Sequence, residues 1–136
     1  MSIRKDYIER LIEQFVAALA RIIQARREQR FADAQQLIRD TALSSLGMEY
    51  GALLLADAAS TARLLGDPSR VKVLARLVAE DGEVLLAQGD ADTASARFQY
   101  ALALYAEAQA HGLQPDADDT ATLARLRAHL GGDARA

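Results

Sequence analysis

Cysteine and tryptophan are both absent from this 136-residue chain. Without cysteine there is no disulfide, no thiolate metal site and no cysteine nucleophile, which fits a reducing cytosolic compartment. Long apolar runs are missing as well. No stretch approaches the roughly 20 residues that a membrane span requires. At the N-terminus Arg4, Lys5, Asp6, Glu9, Arg10 and Glu13 interrupt any run of signal-peptide length. A cytoplasmic protein with no membrane partner is therefore expected. Alternation of β-branched with polar residues is nowhere sustained, which argues against strands.

What the chain has in quantity is alanine and leucine: 51% of residues are hydrophobic while only 5% are aromatic. Alanine combines the best helix propensity with a side chain small enough for helices to approach closely. The length suits one helical domain, expected over residues 1–131, with a short flexible tail at 132–136. Net charge is −3, distributed unevenly: residues 1–39 carry +3 and residues 40–136 carry −6. A basic first hairpin on an acidic body can steer a partner or a second copy. It is too weak for nucleic acid, where a strongly basic face is expected.

Punctuation divides the chain into about six helices. The first is expected from Asp6 to about Glu28, with Ile8, Leu11, Ile12, Phe15, Leu19, Ile22 and Ile23 at three- and four-residue steps. Val16 widens this stripe beyond what one neighbour needs. After a polar break at 28–30, the second helix carries Phe31, Ala34, Leu37, Ile38, Ala42 and Leu46 and stops at Gly47, so the pair must form an antiparallel hairpin. A third helix is expected over 52–65. The fourth opens at Asp67-Pro68, a cap followed by a first-turn proline, and stops at Gly89 with Gly82 inside it. The fifth follows Asp90 or Asp92 and reaches Ala110. The sixth starts at Asp116 or Asp118, carries Leu123, Leu126 and Leu130, and ends at Gly131-Gly132.

Within this pattern, Gly82-x-x-Leu85-x-x-x-Gly89-Asp90-x-x-x-Ala94-x-x-x-Phe98-x-x-Ala101-Leu102 resembles the tetratricopeptide repeat. Small residues fall where two helices touch, and a large apolar residue fills the gap between them. Asp81 stands where the repeat usually has a large residue, and the terminal proline is missing, so the copy is divergent. A weaker echo spans 29–38, with Phe31, Ala34 and Ile38 in the second-helix positions and Gln29 in place of the glycine. The resemblance implies an all-α fold, a right-handed superhelix or compact bundle of hairpins, that binds protein or peptide partners. The opening segment from Ile3 to Phe15 also resembles a small, uncharacterised family of bacterial helical proteins, and that resemblance implies no activity.

No residue set carries recognisable catalysis. His111 and His129 sit near helix C-termini, where a cation is favoured by the dipole, and neither has metal-ligand spacing. Glu80-Asp81-x-Glu83 and Asp116-x-Asp118-Asp119 are the densest acid groups. The second lacks the glycine and downstream glutamate of a calcium loop and reads as a solvated helix start. Ser44, Ser45, Ser60, Ser69 and Ser95 have no nearby histidine base. Neither a catalytic residue, nor a cofactor, nor a bound metal is expected. Of the tyrosines, Tyr105 is expected in the core with its hydroxyl at the edge, and Tyr100 off the main stripe and exposed. Arg26-Arg27-x-x-Arg30, extended by Arg21, is a candidate clamp for an acidic peptide, although basic residues at the end of the first helix also complement its dipole. Three readings stand: a non-enzymatic interaction module, a homo-oligomer sealed by the first helix, and a small-molecule binder between helices.

Overall fold

The computed structural model describes residues 3–131, all of them helix, turn or loop, with no strand among them. Seven helices follow in order: α1 Ile3–Arg27, α2 Phe31–Leu46, α3 Tyr50–Leu53, α4 Ala58–Leu65, α5 Pro68–Ala87, α6 Ala91–Ala110 and α7 Ala117–His129. The tail expected at 132–136 lies outside the described residues. The seventh helix arises because the expected helix over 52–65 is broken. The Asp57 carboxylate accepts the Ser60 backbone N–H at 2.7 Å, so a fresh helix starts there, and the preceding turn ends at Leu53. α1 also begins three residues before the expected Asp6.

The chain gathers into two compact units, residues 1–55 and residues 56–136. In the first, α1 packs along α2, and the four-residue α3 packs on α2. Leu11, Phe15, Leu19, Ile22 and Ala25 of α1 are buried, as are Ala34, Ile38, Ala42 and Leu46 of α2. The α1–α2 turn uses Gln29 at φ 61°, with the Arg30 N–H donating to the Ala25 carbonyl at 2.8 Å. This left-handed conformation is one that residues other than glycine adopt only at a steric cost.

In the second unit α5 and α6 form the central pair, each packed by α4 and α7. Twelve of the twenty residues of α5 are buried, which is why its apolar residues run around the helix instead of along one stripe. Asp67 caps it by accepting the Ser69 N–H, and Pro68 occupies the first turn. α5 turns into α6 through Gly89 at φ 88°, where the Asp90 N–H donates to the Leu85 carbonyl at 3.0 Å. Asp90 then caps α6 through Thr93.

Gly82 sits where α6 crosses α5. A Cβ on it would lie 2.5 Å from Cε1 of Phe98, so the ring occupies the space that any side chain would need. Ala94, Phe98 and Ala101 are buried along the same helix, while Leu85 is half-buried and Gly89 exposed at the turn. Tyr100 is not exposed as expected. It is half-buried, and its hydroxyl and that of Thr61 on α4 are 2.7 Å apart. Burial raises the Tyr100 phenol pKa, with the Thr61 hydrogen bond opposing the shift. This contact ties α4 to α6.

Candidate functional site

Lys72, Arg76 and Glu80 recur every four residues and therefore share one face of α5. That face meets the N-terminus of α7. The Lys72 ammonium reaches Asp116 at 2.9 Å and Asp119 at 3.0 Å. The buried Arg76 guanidinium donates from Nε to Asp118 at 3.1 Å and from Nη1 to Glu80 at 3.3 Å. Glu80 is itself buried. Asp116 and Asp119 also form a reciprocal capping box, each carboxylate accepting the other's backbone N–H at 2.9 Å. The acids at 116–119 are a helix start as expected, exposed at Asp116 and Asp118 but not at Asp119, which is 0% exposed, and all three also answer cations on α5.

The electrostatics follow from this packing. Burial disfavours the charged Lys72, but Asp116 and Asp119 outweigh it and hold its pKa above the ordinary value. For Arg76 burial is likewise opposed, by Asp118 and Glu80, and the guanidinium is held more firmly charged. Asp116 falls below the usual carboxylate range: burial pushes it upward, while the Asp119 N–H and Lys72 pull it down further. Tyr105 lies against the cluster, and burial pushes its phenol strongly up. Its hydroxyl is not at an edge as expected. It is wholly buried, and although Thr122 lies beside it, the contact lacks hydrogen-bond geometry.

The other acid group is likewise consumed by packing. Asp81 is buried and accepts from Arg97 at 3.0 Å, while Glu83 faces His129 at 2.9 Å. The His129 ring stacks on Phe98 with centroids 4.4 Å apart. His129 is thus an exposed helix-end residue, as expected, whose ring also reaches Glu83 on α5 and Phe98 on α6. His111 remains exposed and bonds the Glu107 carbonyl at 2.9 Å. Among the described residues, no three of His, Asp and Glu converge as a metal site would require.

A surface cleft lies in each unit. In the second, a 360 Å³ cleft lies over Ala62, Pro68, Val71 and Ala108, with Arg63, Glu107 and His111 at its polar margin. In the first, a 340 Å³ cleft is lined by Ala20, Arg21, Gln24, Arg30 and Leu37. Of the four arginines singled out by sequence, Arg21 and Arg30 share this cleft, whereas Arg26 and Arg27 do not line it. Arg30 bonds Glu28 at 2.9 Å and Asp33 at 3.1 Å, and Glu28 in turn accepts from Gln24. Those bonds, Gln24 first and then Arg30, lower the Glu28 pKa. Arg21 is exposed beside them.

Sequence spacing alone found neither the α5–α7 ion cluster nor the Asp81–Arg97 pair. The one legible signal was the four-residue step of Lys72, Arg76 and Glu80 within an otherwise apolar helix. No family model matches this sequence, and no curated protein or solved structure matches it.

Proposed function

We propose that the protein is a non-catalytic, cytoplasmic interaction module, a divergent tetratricopeptide-like hairpin scaffold that captures an acidic protein segment. The observation that carries this reading is the α1–α2 cleft, where Arg21 and Arg30 flank the apolar Leu37. A carboxylate can accept a bidentate hydrogen bond from such a guanidinium, and an apolar neighbour fills the floor. Arg30 is held in place by Glu28 and Asp33, so an incoming carboxylate exchanges with one of them and does not meet an unpartnered charge. The hairpin packing of Gly82 against Phe98 supports the scaffold half of the reading. Further support comes from the charges of the α5–α7 cluster, each of which faces an opposite charge.

The test is fluorescence anisotropy with labelled peptides that alternate aspartate or glutamate with leucine and end in a free carboxylate. Saturable binding that weakens with salt is expected. Arg21→Glu with Arg30→Glu should weaken it about tenfold or more, since each charge-assisted bond contributes about 1.5–3 kcal/mol. Glu28→Gln should strengthen it by freeing Arg30. Absence of binding at low salt, or binding indifferent to both arginines, rejects the acidic-segment reading.

A further inference from the structure

One face of α1 presents Ile8, Ile12, Val16, Ala20 and Ile23, at steps of four, four, four and three residues. At about 100° per residue these fall within one sector about 120° wide, next to the face that carries Leu11, Phe15, Ala18, Ile22 and Ala25. The second face is buried. The stripe is not: Val16 is 59% exposed, Ala20 is exposed, and Ile8, Ile12 and Ile23 are only half-covered.

The charges along the stripe say what covers it. Glu9 and Glu13 border it on one edge in the first half of the helix, and Arg27 borders the same edge at the other end. All three are exposed. When two identical helices pack antiparallel about a two-fold axis, residues on one edge meet residues on the same edge from the opposite half. An edge that is acidic at one end and basic at the other is therefore complementary to itself in that orientation alone. Parallel pairing about a two-fold axis would set this edge against the opposite edge of the partner helix, so Glu9 and Arg27 would not meet. Antiparallel pairing also opposes the helix dipoles favourably.

We propose that α1 is a self-association seam on which a second copy of this chain packs antiparallel. Centred near Ala18, the register puts Val16 over the partner's Ala20 and Glu9 beside the partner's Arg27. A large residue then meets a small one at the centre, which lets the two backbones approach closely.

The full chain is tested by sedimentation velocity from about 1 mM down to about 1 μM. A reversible dimer is expected. Val16→Glu should raise its dissociation constant by about 100-fold, because two uncompensated charges enter the centre of the seam. Val16 is exposed in the chain itself, so unchanged helicity by circular dichroism should accompany that loss. Glu9→Arg and Arg27→Glu should each weaken the dimer by about fivefold, and the double exchange should restore it. A chain monomeric at every concentration overturns the proposal, the stripe then having some other occupant. A dimer indifferent to Val16→Glu, or a double exchange that fails to restore association, overturns it equally.

Discussion

At the turn between α1 and α2 the residue with positive φ is Gln29; at the turn between α5 and α6 it is Gly89. The two backbones are otherwise alike. Arg30 and Asp90 each donate to the carbonyl five residues back, and Ala34 and Ala94 each donate to the carbonyl four residues back. Asp90 caps its helix with a side-chain hydrogen bond, whereas Arg30 makes none. The positions that Gly82 and Phe98 hold in the second hairpin fall, sixty residues earlier, on Ile22 and Ile38, both buried. At these positions one hairpin sets a large ring against a glycine, and the other has two buried isoleucines. The same turn hydrogen bonds are thus kept while the residues at the turn and at the corresponding buried positions are exchanged.

The hairpins also differ in what surrounds them. α5 buries twelve residues of twenty, including Arg76, Glu80 and Asp81, whereas α1 buries six of twenty-five, all apolar. A helix enclosed on several sides can hold charges only if each finds a partner. The largest expected effect follows from that. Arg76→Ala should destabilise the second unit by about 3–5 kcal/mol, because it leaves Glu80 buried without this cation. Replacing both Arg76 and Glu80 by methionine should be much milder. Chemical denaturation followed by site-resolved hydrogen exchange measures both, with α1 and α2 as the internal reference. Equal losses for the single and double variants would show that the ion pair is not what the site requires.

Gly82→Ala should destabilise by about 1–3 kcal/mol despite the better helix propensity of alanine, since Phe98 is buried and stacked on His129 and cannot yield freely. Phe98→Leu in the same chain should recover part of the loss. A stabilised Gly82→Ala would mean the crossing relaxes, and the contrast with Ile22 and Ile38 would lose its force. At the turns the signs are opposite: Gln29→Gly should stabilise α1–α2 by about 1 kcal/mol, and Gly89→Gln should destabilise α5–α6 by a similar amount. Thermal melts of the two variants decide this.

The smallest effect is the pH dependence of α7 docking. Asp116 has a lowered folded pKa, so its contribution is present above the unfolded aspartate value, about 3.9, and is lost as pH falls through the folded value. Lys72 has a raised one, so its contribution is complete below the unfolded lysine value, about 10.4, and is lost as pH rises through the folded value. The stability difference between the wild-type chain and Lys72→Met should therefore be flat from about pH 5 to pH 9 and shrink at both extremes. A difference that changes across neutrality would assign it to another group.

Much of this was legible in the chain itself. The helical class, the ends of α2 and α5 and the starts of α5, α6 and α7 follow from caps, glycines and Pro68, because such signals act within one turn of the backbone. So did the close approach at Gly82. The break at Asp57 was missed, although a cap three residues before Ser60 was present to be read. The partners of Arg76, Asp81, Asp118 and Asp119 could not be read from spacing. Arg76 and Asp118 lie forty-two residues apart, and only the packing of α7 on α5 brings them together. Periodicity fixes which residues share a face, because helix geometry is local. Which face meets which, and whether an acid on it is solvated or buried, depends on the fit of side chains from distant segments, and only the tertiary structure decided that.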